Sequence, residues 1–186
     1  MIHLAAGPSP AVLEIDGFSW RFAGPSDAPS LELLAARSSH RTLFNLPGSE
    51  REFEARVGWP GFRIPMLCLR GSKPVGAAAT DRRNHRSLNL RLICFFAEPA
   101  RAAVPLAAYV RHLFWSLPLH RVYAQLPMVG GATAYVRLLK NAGFQEEGVV
   151  RGYAMVGGRP RDLAVLGVLR EEFETWCSEN EKRLAL

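Results

Sequence analysis

Between Asp81 and Gln145 the sequence holds one carboxylate, Glu98, and it falls where an apolar run ends and a helical pattern begins. A carboxylate there can take a proton from a nucleophile as a general base. It would equally suit a helix start, where the macrodipole favours negative charge. The other groups able to move protons are His120, Glu147 and Asp162, each in or beside a stretch of strand character, and Tyr135, on a stripe with Leu138, Leu139 and Ala142. The Tyr135 hydroxyl can act as an acid or its ring can simply fill a core. Cys94 sits in an alternating strand with no histidine near it in sequence, so it reads as a small hydrophobe rather than a nucleophile. His40 and His85 stand in polar segments and read as surface residues. Cys68, Cys94 and Cys177 share no metal-ligand spacing, so neither a metal site nor a disulfide is expected.

These residues lie on a chain of 186 residues, of a size for one domain with a full core. Hydrophobic residues make up 48% and charged residues 22%, which excludes a disordered chain. No apolar run is long enough to span a membrane, and no basic segment followed by an apolar one opens the chain, so a reduced, cytoplasmic setting is expected. The net charge of +6 is mostly arginine, with one cluster at Arg82, Arg83, His85 and Arg86. No nucleic-acid-binding module accompanies that charge, so nucleic acid is not an expected partner.

The elements that must position these groups follow from periodicity. Residues 1–11 read as a tail. Val12 to Phe22 alternates as a first strand or hairpin. Ser26-Asp27 caps a helix with an apolar face of Leu31, Leu34 and Ala35, and Ser49 to Phe53 starts a second. Ile64–Leu69 and Val75–Ala79 are strands around the turn Gly71-Ser72-Lys73-Pro74, and Leu88–Phe96 is the clearest strand. Leu106, Val110, Leu113, Phe114 and Leu117 form the stripe of a core-facing helix that Pro118 ends. A shorter helix closes on Gly143, and two strands flank Gly157-Gly158. The segment 171–186 puts Phe173, Trp176 and Cys177 on one helical face, either to cover the sheet or to pair with a second copy.

The run from His120 to Leu169 carries a resemblance. It contains His120-Arg121-Val122-Tyr123-Ala124, a helix ending in Gly143-Phe144, then Glu147-Gly148-Val149-Val150-Arg151, then a strand opened by Asp162. That order resembles the GCN5-related N-acetyltransferases, nearest the branch that acetylates protein N-termini and small amines. The resemblance spans residues 12–170 and implies an α/β fold: a mixed, mostly antiparallel sheet of six or seven strands flanked by helices. In that fold the sheet is splayed between the fourth and fifth strands, here Leu88–Phe96 and Arg121–Leu126.

By the same resemblance, Phe95, Phe96 and Ala97 hold the pantetheine arm of acetyl-CoA or another acyl-CoA through their backbone. Ala100, Arg101, Ala102 and Ala103 stand in the pyrophosphate loop, and Ala132 takes the place of an asparagine that touches pantetheine. Glu98, His120 and Tyr135 are the catalytic candidates. The family's loop carries glycines, because several amides must converge closely on one anion. This loop has none, and Pro99 and Pro105 remove two donors. Leu139 replaces the family's acid tyrosine, with Tyr135 one turn earlier.

The implied activity is acyl transfer to the amine of a small molecule or peptide. Two alternatives stay open: a protein of this fold that no longer acetylates, and an acyltransferase whose donor rides on an acyl carrier protein.

Overall fold

The computed structural model describes residues 11–36, 62–81 and 88–184. Residues 1–10 of the expected tail, the helix starting at Ser49, the cluster Arg82–Arg86, and His40 and His85 lie outside those residues; Ala11, read as the end of the tail, begins the first strand. Among the described residues no helix is long and apolar enough to cross a membrane.

The strands are β1 (Ala11–Ile15), β2 (Phe18–Phe22), β3 (Phe62–Arg70), β4 (Lys73–Asp81), β5 (Asn89–Phe96), β6 (Arg121–Pro127), β7 (Gln145–Val156) and β8 (Arg159–Leu169). They form one sheet in the order β1-β2-β3-β4-β5-β6-β8-β7. Every neighbouring pair is antiparallel except β5 with β6. The mixed, mostly antiparallel architecture is the expected one, with eight strands instead of six or seven. Asp16 and Gly17 explain a strand more: with φ of 46° and 72° they form a tight left-handed turn that folds residues 11–22 into a hairpin.

The helices are α1 (Ala28–Ala35), α2 (Ala103–Ser116), α3 (Ala132–Asn141) and α4 (Arg170–Glu179), followed by a single turn at Glu181–Leu184. α1 buries Leu31, Leu34 and Ala35 as its pattern predicts, and Arg21 of β2 ties it down through a two-pronged bond to Asp27. The first strand of the cleft begins at Asn89 rather than Leu88, which is exposed and sits at φ 56° in the preceding turn.

The parallel pair β5–β6 is joined through α2, because parallel neighbours need a crossover that no tight turn supplies. α2 buries Leu106, Val110, Leu113 and Phe114, and Trp20 of β2 donates its indole N–H to the Pro105 carbonyl at 2.9 Å. Leu117 turns extended before Pro118, as the residue preceding a proline must. α3 ends at Gly143, φ 92°, and Phe144 N–H closes back on the Leu139 carbonyl.

α4 folds back on its own domain. Phe173 is buried against Phe114, and the Trp176 ring lies over Gly143, where a Cβ would come within 3.0 Å of it. Its apolar face thus covers α2 and the end of α3.

The Phe96 ring packs closely against Gly76 and meets Trp20 edge-on at 6.0 Å. A Cβ at Gly76 would stand 2.1 Å from Phe96 Cδ1. Gly76→Ala should therefore force Phe96 and the end of β5 to move, lowering unfolding free energy by about 1–3 kcal/mol in urea titration. A variant with unchanged stability would show that Phe96 is not clamped there.

Candidate active site

β5 and β6 pair only at Asn89↔Arg121, Leu90↔Val122 and Arg91↔Tyr123. β5 runs on to Phe96 and β6 to Pro127 without further pairing between them. Each is held on its outer edge over that stretch, β5 by β4 through Gly76↔Phe96 and β6 by β8 through Pro127↔Leu163. The two inner edges therefore diverge into the V-shaped opening that the sequence implied.

Hydrogen-bond directions decide what faces the opening. Ala97 N–H donates to the Val75 carbonyl of β4 at 2.8 Å. Alternation along an antiparallel strand then turns the N–H and C=O groups of Phe96 and Cys94 the other way, toward β6. Tyr135 of α3 answers one of them: Phe96 N–H donates to the Tyr135 hydroxyl oxygen at 3.0 Å, and that hydroxyl donates to the Phe96 carbonyl at 3.4 Å. The side chain of Tyr135 is thus a partner for the strand edge, and it is fully buried.

The loop after β5 spends two of its amides internally. Pro99–Arg101 forms a 3-10 turn in which Arg101 N–H donates to the Glu98 carbonyl and Ala102 N–H to the Pro99 carbonyl, both at 3.1 Å. With Ala97 bonded to β4 and no N–H on Pro99 or Pro105, five of the nine positions from Ala97 to Pro105 have no amide to offer an anion. Ala102 and Ala103 are buried, Ala100 is exposed, and Ala132 is buried at the start of α3. Gly131 before it stands at φ 87°, a conformation that favours glycine.

Glu98 and Arg101 lie together, 3.5 Å apart and mostly exposed. They line a cavity of about 200 Å³ with Arg70, Lys73, Phe18 and Val75. The sequence did not single out Arg70 and Lys73. Their signal was the cation on each side of the Gly71-Ser72 turn, which β4 carries to the exit of β5.

The remaining candidates sit elsewhere. His120 precedes Arg121 at the closed end of the β5–β6 pair, where its N–H donates to the Leu88 carbonyl and its own carbonyl accepts from Arg170 N–H. The seven residues of β6, roughly 23 Å of strand, separate it from the mouth. Glu147 forms an ion pair with Arg121, and the pair lies over Gly167, where a side chain would collide with Glu147 Oε1. Asp162 accepts from Gly152 N–H at 2.9 Å and so fixes the irregular part of the β7–β8 hairpin. Cys94 and Cys68 are fully buried; burial pushes the Cys68 thiol up to about 12 and the Cys94 thiol higher still. Among the described residues no group of His, Cys, Asp and Glu gathers as a metal site would require.

Solved structures share this fold. The chain superposes on the ribosomal-protein-S5-alanine acetyltransferase of Vibrio fischeri with a TM-score of 0.67 and 13% identity, over 87% of this chain and 97% of that one. It superposes on a GNAT-family acetyltransferase of Bacillus anthracis with a TM-score of 0.70 and 15% identity, over 86% and 98%. For the spermidine N-acetyltransferase of Vibrio cholerae, solved in complex with CoA and spermine, the values are 0.70 and 15%, over 85% and 98%. No protein-family model matches the sequence, and no curated protein matches it. The fold is that of the GNAT acetyltransferases.

Two outcomes follow from this geometry. Tyr135→Phe leaves Phe96 N–H without its hydroxyl partner inside the protein, and should cost about 1–3 kcal/mol of stability in the absence of any ligand. A neutral result would mean that water reaches the strand edge. Alkylation of the native protein at about pH 8 should modify the half-exposed Cys177 and spare Cys68 and Cys94, whose thiolate fractions are negligible. Rapid labelling of Cys94, read by mass spectrometry, would contradict the buried placement.

Proposed function

We propose that this chain is an N-acyltransferase that takes an acyl group from a pantetheine thioester, such as acetyl-CoA or another acyl-CoA, to the amine of a small molecule or peptide. The observation that carries the reading is the β5–β6 opening. Its wall is a strand edge that β6 does not pair, where a pantetheine amide could take over the bonds that the Tyr135 hydroxyl makes to Phe96.

The chemistry asks little more of the protein. The amine nitrogen attacks the thioester carbonyl carbon, the C–S bond breaks, the sulfur leaves as a thiolate, and the nitrogen gives up a proton. Holding amine and thioester in near-attack geometry supplies much of the rate. Phe96, with Cys94 before it, would align the arm through backbone groups that face the opening, whereas Phe95 and Ala97, expected to share that role, turn theirs toward β4. Glu98, at the strand exit, would take the proton. Tyr135, already bonded to Phe96, would position the strand edge rather than protonate the thiolate. Ala132 leaves room for the arm beside α3.

The residues fit pantetheine better than they fit a pyrophosphate. With the Arg101 and Ala102 amides engaged in the 3-10 turn, one or two charge-assisted hydrogen bonds are lost relative to a loop with free amides, each worth roughly 1.5–3 kcal/mol.

Calorimetry should accordingly find acetyl-CoA binding in the micromolar range or weaker; sub-micromolar binding would refute the loop argument. On a working acceptor, Glu98→Gln should slow transfer about 10²–10⁴-fold with little change in donor affinity. Tyr135→Phe should cost much less. Full activity of the Glu98 variant would leave catalysis to positioning alone. Binding in the opening without transfer to any amine would make the chain a binding protein of this fold.

A further inference from the structure

We propose that the cationic rim around the mouth of the opening docks an acidic carrier protein, so that the acyl donor arrives on a phosphopantetheine arm rather than on free coenzyme A. The inference rests on the acyltransferase reading above and names its donor.

Three observations converge on it. The first is the mismatch between opening and loop. The opening between β5 and β6 suits a pantetheine arm, while the adjoining loop turns two of its amides, those of Arg101 and Ala102, inward and carries two prolines. A donor attached through a single phosphate to a protein needs the first and not the second.

The second is the cavity at the exit of β5. Arg70, Lys73 and Arg101 surround it, against one carboxylate, Glu98, already paired with Arg101. Its aromatic residues offer little to an adenine ring. Phe96 is buried, and one face of Phe18 is taken by the Arg70 guanidinium 5.5 Å from its centroid. Exposed cations of this kind steer a negatively charged surface and contribute through salt-sensitive encounter rather than through a shaped nucleotide pocket.

The third lies across the mouth. The last β6–β8 pair is Pro127↔Leu163, yet β8 begins at Arg159 and β7 runs on to Val156. The two strands thus project as a ribbon beyond the end of β6, at the same end of the sheet as the exit of β5. Arg151, Arg159 and Arg161 are exposed on this ribbon, and its acid, Asp162, is engaged by Gly152 N–H. Positive charge therefore flanks the opening on both sides. That suits a partner that brings acidic surface around the point where its prosthetic arm enters.

The test is a binding comparison on the full chain with three probes: coenzyme A, 4′-phosphopantetheine, and an acidic fatty-acid-type carrier protein in its phosphopantetheinylated form. Coenzyme A should bind no more than about threefold tighter than phosphopantetheine, since its adenosine half gains little. The carrier protein should bind at least about tenfold tighter than either at low salt, with the gain lost as ionic strength rises. Arg70→Glu with Lys73→Glu should abolish that gain while pantetheine, which carries no phosphate, binds within about twofold of its affinity for the unmodified chain, with thermal melts confirming the fold.

Coenzyme A binding about tenfold or more tighter than phosphopantetheine would overturn the proposal and leave the acyltransferase reading standing. So would a carrier protein that binds no tighter than its detached arm. An oligonucleotide that competes as well as the carrier protein would overturn it too, by showing that the rim reads polyanions of any kind. If none of the three probes binds, the opening is not a donor site and the acyltransferase reading itself fails.

Discussion

The site depends on two strands ceasing to pair. β5 and β6 are neighbours for three residue pairs and then part, each held by a different antiparallel partner on its far side. An unpaired buried strand edge is costly, because each backbone N–H or C=O left without a partner forfeits about what a hydrogen bond is worth. The chain offsets part of this cost with Tyr135, whose hydroxyl gives and accepts at Phe96 as a neighbouring strand would. An opening lined this way is prepared for an amide-bearing ligand, since such a ligand can replace what a strand would have supplied.

Around that opening the structure separates two tasks that a glycine-rich phosphate loop would join. The 3-10 turn at Pro99–Arg101 closes two amides of the loop, those of Arg101 and Ala102, onto its own carbonyls, and small buried residues, Ala102 and Ala103, bring α2 close behind it. On the proposed reading, backbone recognition falls mainly to the strand edge. Charge is delivered instead by side chains from other elements, Arg70 and Lys73 from the β3–β4 turn, with Arg101 beside them. Backbone amides bind an anion by fixed geometry, whereas long exposed cations bind by attraction over a distance and adapt to the surface presented. The shift from one to the other changes the donor this fold is suited to hold.

Most of the fold was legible in the sequence, for definite reasons. The stripe from Leu106 to Phe114, the Gly143 cap and the Gly157-Gly158 turn each follow from one local rule, and each formed as read. The hairpin at residues 11–22 hinged on Asp16-Gly17, a turn signal that left the strand count one short of the truth. The site was less legible, because its central contacts join residues distant in sequence. Nothing near Tyr135 says that its hydroxyl will reach Phe96. Nothing near Glu147 says that it will meet Arg121 across Gly167, although a glycine inside a strand hints at close approach. His120 belongs to the most recognisable motif and stands at the closed end of the strand pair, which only the register reveals.

The central claim is that the buried strand edge where β5 and β6 part receives the donor's pantetheine arm. Backbone amide resonances followed by nuclear magnetic resonance during titration with 4′-phosphopantetheine test it most directly. The account predicts that the amides of Cys94, Phe96 and Tyr135 shift together and saturably, while Leu90 and Val122, in the paired part of the same strands, stay in place. Shifts confined to the closed end, or spread over the outer face of α4 with Phe96 unmoved, would contradict it.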